Sequence, residues 1–167
     1  LMLKKRISMK KVLGLGNALV DILNKIPNEA ILDQFNLAKG SMQLVDKAFT
    51  DNILNHIKNF ERQQTAGGSA ANTIHGLAHL GLPTGFIGKV GSDDFGNFFI
   101  ADLRKSGINA QLLTGNAETG RAIALITPDS ERTFATYLGA SIELSASDLR
   151  LEAMKGYDIL HIEGYLV

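Results

Sequence analysis

Thr65-Ala-Gly-Gly-Ser-Ala-Ala-Asn-Thr-Ile-His-Gly-Leu-Ala-His-Leu-Gly81 is the stretch whose reading decides the fold. Two glycines precede a run of small residues, and Ala70, Ile74, Leu77 and Ala78 then recur at helical spacing. The pattern predicts a tight turn opening directly into a helix. Gly67 and Gly68 would let a ligand approach the backbone closely, because no side chain stands in the way. The first turn of the helix would add unpaired N–H groups and the positive end of its dipole, and Asn72 would add an amide. The stretch therefore reads either as a donor-rich cradle for a hydroxylated or anionic ligand, or as a packed turn with Gly68 at the helix entrance.

The chain around it has 167 residues, 45% of them apolar and 20% charged, which is ordinary for one globular domain with a sizeable core. Lysine plus arginine equals aspartate plus glutamate at 17 each, so no global field recruits nucleic acid or an anionic membrane. There are no cysteines, which excludes disulfides and thiolate metal sites and suits a reducing compartment. No apolar run approaches the ~20 residues needed to span a bilayer, and the basic start lacks the apolar core of a signal peptide. These features predict a cytoplasmic location. Residues 1–9 read as an N-terminal extension or added remnant.

Upstream, Val12–Leu15 reads as a buried strand ending at Gly16. The following Asn17 and Asp21 superficially suggest a dinucleotide fingerprint, but Leu19 occupies the third glycine position and Pro27 interrupts the required helix. Residues 22–39 show weak periodicity. Ser41–Val45 predicts a short strand, and Asp46 a helix N-cap ahead of Phe49, Ile53, Ile57 and Phe60. That helix is expected to run into the glycine turn.

Downstream, Gly85–Val90 predicts a buried strand. Asp93 or Asp94 then caps a helix that presents Phe95, Phe99, Ile100 and Leu103 and closes at Gly107. Ala110–Leu113, Ala122–Thr127 and Thr133–Tyr137 are strand-like, the last two joined by turn chemistry at Pro128-Asp129-Ser130. A short helix from Ser145 or Ser147 to Lys155 and a buried strand at Ile159–Ile162 follow. Strand–helix alternation implies an α/β domain with a doubly wound, mostly parallel sheet. The segment around Ser41 and the hairpin would form a smaller β-sheet. Ending straight after a strand, the chain reads as truncated, or as one whose missing face a partner supplies.

In doubly wound sheets ligands bind beyond the carboxyl ends of strands. Asn17 and Asp21 after the first strand, Gly67, Gly68 and Asn72 in the cradle, and Glu163 after the last strand all fall at such ends. An ionised carboxylate accepts two hydrogen bonds at once, which suits a vicinal diol. Asp21, Asn72 and Glu163 have no cysteine nearby and are not set at metal-ligand spacing, so these side chains alone do not make a metal site.

Several motifs together carry a resemblance. Gly16-Asn-Ala-Leu-Val-Asp21, Ala66-Gly-Gly-Ser-Ala-Ala-Asn72 and Gly88-Lys-Val-Gly-Ser-Asp-Asp-Phe-Gly96 are similar to motifs of the ribokinase-like sugar and nucleoside kinases, the PfkB carbohydrate kinase family. The 119–133 segment, Tyr137–Ser141 and His161–Leu166 extend the likeness over nearly all of residues 10–167. The first motif, the Glu131-Arg-Thr133 turn and Glu163-Gly-Tyr-Leu166 most resemble the adenosine-kinase-like branch, while Glu163 also keeps a simple sugar such as ribose or fructose in view.

The resemblance implies a ribokinase-like fold whose small lid sheet, drawn from residues 17–45 and 110–137, closes over substrate. It implies ATP-dependent phosphorylation of a hydroxymethyl group on a sugar or nucleoside, with Mg²⁺. Asp21 would bind two hydroxyls, with Asn17 shaping its loop, and Gly67, Gly68 and Asn72 would hold the sugar. Arg132 would contact the transferred phosphate. Leu19, Met42 and Tyr165 would line an apolar slot, although plain core packing is the stronger reading for Leu19 and Met42. The family's Gly-Ala-Gly-Asp motif, which supplies the catalytic base, does not occur in these residues. The 167-residue chain is thus expected to be inactive alone and to carry only the acceptor-binding half. Alternatively, the protein is a non-catalytic sugar- or nucleoside-binding or regulatory relative. A homodimer through the lid sheet is a further expectation of the resemblance.

Overall fold

The computed structural model describes residues 9–164. β1 (Val12–Leu15) is buried at every position, as a strand flanked on both faces must be. The chain resumes as β2 (Leu19–Lys25), with Val20 and Ile22 fully buried on one face. α1 (Ala30–Gln34) buries Ile31 and Leu32, and the short β3 (Met42–Leu44) is exposed. α2 (Lys47–His56) begins at the expected cap: the Asp46 carboxylate accepts from the Phe49 N–H at 2.8 Å. Ile57 and Phe60 fall beyond this helix.

The helix does not run into the glycine turn. β4 (Arg62–Gly67) intervenes, so Thr65 to Gly67 are strand and only Gly68 turns the chain into α3 (Ser69–His79). β5 (Thr84–Val90) follows, and Asp93 caps α4 (Asp94–Lys105) by accepting from Gly96 N–H at 2.8 Å. β6 (Asn109–Thr114), β7 (Thr119–Ile126) and β8 (Arg132–Gly139) come next, with β7 and β8 forming the expected hairpin. Ser145 starts a capping box over a single 3₁₀ turn, ahead of α5 (Leu151–Met154) and β9 (Ile159–Ile162).

The strands form two sheets. A four-stranded, wholly parallel sheet runs β6-β5-β1-β9, and a five-stranded mixed sheet runs β3-β8-β7-β2-β4. This is the ribokinase-like α/β architecture, a parallel core sheet with a mixed lid sheet, although the sheet expected to be the smaller has the more strands among the described residues. β6, at the start of the 110–137 span expected for the lid, pairs with β5 in the core sheet, while β4, outside both expected spans, joins the lid. Ile74 of α3, Phe86 of β5 and Phe99 and Leu103 of α4 pack in the main apolar cluster, with the Phe86 and Phe99 rings 5.9 Å apart. β9 departs from its expectation. It is an edge strand paired with β1 alone, and Ile159, Leu160 and Ile162 are about half exposed because no helix among the described residues covers them. No helix of the described residues is long and apolar enough to cross a membrane.

Candidate functional site

Parallel pairing of Leu15 with Ile162 makes the chain leave β1 and β9 side by side. Gly16 and Asn17 therefore stand next to Glu163, beyond the carboxyl ends of the core strands. α3 enters the same space from Gly68, and the lid sheet forms the opposite wall. Together they enclose a cavity of about 470 Å³.

Asp21 reaches this cavity from β2, whose Leu19 and Asp21 point away from the buried Val20 and Ile22. Antiparallel pairing sets Leu19 opposite Gly67 and Asp21 opposite Thr65. The Asp21 carboxylate then occupies the volume that a side chain at 67 would fill. Burial pushes its carboxyl up to about 6, because removal from water penalises the charged form.

Gly68 is the N-cap of α3 with φ +95°, and a β-carbon there would lie 2.2 Å from the Asn17 carbonyl oxygen. Glycine is required on both counts. It supplies no side-chain cap, so the first N–H groups of α3 gain no side-chain partner where Ser69 and Ala70 line the cavity. Asn72, one turn in, lines it too. Asn17 Oδ1 is buried and accepts no hydrogen bond among the described residues. Glu163 Oε1 lies 3.1 Å from His161 Nε2.

The cavity lining combines two chemistries. Asn17, Asn72 and Glu163 from the core side and Asp21 from lid strand β2 supply amides and carboxylates. Leu19, Met42, Leu44, Ala122, Phe134 and Leu138, with the hydroxyl of Thr136 among them, line the lid side. Of these, Leu44, Ala122, Phe134, Thr136 and Leu138 carried no signal as site residues. The alternation Phe134-x-Thr136-x-Leu138 is visible in the sequence, but which face meets the cavity depends on the β7–β8 register. Such a pocket suits a small polyol bearing an apolar or planar group.

Three expected site residues are not among the described residues that line the cavity: Gly67, whose open side the Asp21 carboxylate fills, Arg132 and Tyr165. Arg132 opens β8 on the cavity-facing side, but it is exposed and pairs with Ile126, four residues before Thr136. That is about 13 Å along the strand, and Arg132 does not line the cavity. Tyr165 lies outside the described residues. Among the described residues no three His, Asp or Glu side chains gather as a metal site.

The Gly88–Gly96 motif serves the junction between the sheets. Asp93 Oδ2 accepts from Thr119 N–H at 2.6 Å, and Thr119 Oγ1 accepts from Gly91 N–H at 2.9 Å. Burial works against the charged form of Asp93, but the N–H bonds from Thr119 and Gly96, the Thr119 hydroxyl and the Arg121 charge outweigh it and hold its carboxyl below the usual range.

Comparison with known proteins places this geometry. The model of the pfkB family carbohydrate kinases matches residues 36–167. A probable sugar kinase from Rhizobium etli CFN 42 superposes with a TM-score of 0.81 at 32% identity, covering 96% of this chain and 48% of that one. An adenosine kinase from Sinorhizobium meliloti gives 0.79 at 33%, covering 95% and 48%. Probable fructokinase-5 of Arabidopsis thaliana is 34% identical over 99 residues, 57% of this chain and 31% of its own length. The chain spans about half the length of these solved structures and less than a third of that plant relative. The likeness extends to adenosine kinases and plant fructokinases alike, without singling out either branch. A chain matched over most of its length by one family model, with that family's two-sheet architecture around a shared cavity, belongs to the pfkB family of carbohydrate kinases.

Proposed function

We propose that the full-length protein transfers a phosphoryl group from ATP to a hydroxymethyl group of a sugar or nucleoside, and that the cavity of residues 16–163 is its acceptor site. One observation carries the reading: Asp21, seated on Gly67, faces Asn72 and Glu163 across a single cavity. A carboxylate that accepts two O–H groups of a vicinal diol regains the hydrogen bonds that burial removed. The unpartnered Asn17 Oδ1 can accept a further hydroxyl, and Asn72 can donate to or accept from the same polyol.

In the reaction the acceptor oxygen bonds to the γ-phosphorus, the bond to ADP breaks, and the hydroxyl proton passes to a base expected outside these residues. ATP and Mg²⁺ enter on the family resemblance. What residues 9–164 do is orient the acceptor and exclude water from one side of it. The lid's apolar lining of Leu19, Met42, Leu44, Phe134 and Leu138 favours an adenosine-like acceptor, whose base it would cover. Glu163 favours a ribose- or fructose-like one.

A thermal-shift panel of nucleosides, pentoses and hexoses on the full-length protein tests the site, since a ligand that binds only the native state raises the midpoint. ATP turnover with the best ligand then separates a kinase from a binding relative. Absence of any shift across the panel at millimolar ligand would overturn the assignment of the cavity.

A further inference from the structure

We propose that Arg121 is a positioning residue that sets how far the five-stranded sheet stands from the core sheet, and thereby where Asp21 sits in the cavity. The inference rests on the five-stranded sheet being a lid over an acceptor.

Arg121 is only 2% exposed, the bulkiest of the fully buried side chains. Its Nε donates to Thr50 Oγ1 at 2.9 Å, its Nη2 pairs with Asp51, and its Nη1 lies 3.3 Å from Glu118 Oε2. Lys47 Nζ closes the ring, 2.7 Å from Asp51 and 3.3 Å from Glu118. Two cations and two carboxylates thus alternate around one circuit. The guanidinium also stacks between two rings, with Cζ 5.5 Å from the centroid of Phe95 and 5.4 Å from that of Tyr137.

These partners lie on different elements. Phe95 sits in the first turn of α4, which packs against β6 of the core sheet as well as against lid strands β4 and β2, and Tyr137 is the cross-strand partner of Arg121 in the lid. Asp51 and Lys47 are on α2, and Glu118 is at the junction into β7. Tilting the lid away from α4 would open the stack and strand a buried charge, which is costly, whereas an apolar side chain would tolerate the movement. The next residue, Ala122, lines the cavity and stands opposite Asp21 in the β2–β7 register. The position of the guanidinium is thus transmitted to the Asp21 carboxylate through one strand pair.

These 167 residues hold no cysteine, so labels placed in them are unambiguous once any cysteine elsewhere in the full-length protein is replaced by serine. One label at Glu131→Cys on the hairpin tip and one at Leu80→Cys at the end of α3 report the lid–core distance in the full-length protein. In Arg121→Met that distance is expected to shift or broaden by more than about 2 Å, the scale of loop and hinge rearrangements. The acceptor KM is expected to rise about tenfold with kcat within about twofold, because the competent lid position is less populated. Should Arg121→Met fail to fold, the Asp51→Asn/Glu118→Gln double variant removes both carboxylate partners and is read by the same distance. A distribution that superimposes on the parent's in the folded variant would overturn the proposal, whatever happens to Tm. A shifted distance in a protein that phosphorylates no acceptor would leave the clasp standing and remove the kinase reading instead.

Discussion

A β-carbon built on Gly67 would lie 2.2 Å from Cγ of Asp21, well inside van der Waals contact. The missing side chain at 67 and the carboxylate at 21 are therefore two halves of one feature, brought together by the antiparallel pairing of β2 with β4.

Gly67→Ala should expel the Asp21 carboxylate from its seat while leaving the fold intact. Overpacking of this kind costs about 1–3 kcal/mol, and affinity for the acceptor should fall further than stability alone explains. Gly68→Ala should be worse, since it adds φ +95° to a clash with the Asn17 carbonyl. Parallel chemical denaturation and acceptor titration of both variants check the order. Equal acceptor affinity in parent and Gly67→Ala would contradict the seat.

If the cavity holds the acceptor as proposed, the Asp21 carboxyl, pushed up to about 6 from an ordinary 3.8, should make acceptor binding pH-dependent. The ionised form accepts both diol hydroxyls, so affinity should rise with pH and level off above about 6. At pH 5 about nine-tenths of the carboxyl is protonated, and binding should be about tenfold weaker than the plateau. Stability moves oppositely: between 3.8 and about 6 the folded state holds a proton that the unfolded state has released, so stability falls as pH rises through that window. Asp21→Asn should abolish both slopes. Calorimetric titration across pH 5 to 8 reads the first, and thermal melts across pH 3.5 to 7 the second.

Much of this arrangement is written locally in the chain. β1 and β5 announce themselves as short apolar runs, and the Asp46 and Asp93 caps by an aspartate ahead of a periodic segment. β4 does not, because Arg62, Gln63 and Gln64 form a polar edge strand whose only reason to be extended is the partner β2, forty residues earlier in sequence. β6 looks like the hairpin strands that follow it, and only pairing with β5 assigns it to the core sheet. Among cavity-lining residues, Asn17, Asn72 and Glu163 are legible because they follow strand ends or a glycine turn, whereas Asp21, read as part of the segment after the first strand, lies inside β2. The lid-side wall of Phe134, Thr136 and Leu138 could not, since a strand's two faces are equivalent until its register is known.

Asp93 holds α4 and the entrance to β7 with a single carboxylate, through Gly96 and Thr119. Asp93→Ala removes a helix cap and a junction bond together, and should cost about 2 kcal/mol. Its carboxyl lies below the usual range in the folded state, so its contribution is complete above the ordinary 3.8 and is lost as pH falls through the folded value. The Tm difference between parent and Asp93→Asn should accordingly shrink below about pH 4. A difference that stays constant down to pH 2.5 would show that the charge of Asp93 plays no part.

Arg132 tests whether the lid closes further than the structure shows. It shares the cavity-facing side of β8 with Phe134 and Thr136, yet stands exposed at the strand's far end. If closure carries it to the transferred phosphate, Arg132→Ala in the full-length enzyme should lower kcat about 100-fold, the usual cost of losing one transition-state donor. Acceptor binding should not change, because no atom of Arg132 lines the acceptor cavity. A solvated hairpin charge would leave both quantities alone, and a residue of the acceptor pocket would raise the dissociation constant. Pre-steady-state turnover alongside equilibrium acceptor titration separates the three, and only loss of turnover at constant affinity assigns Arg132 to the phosphate.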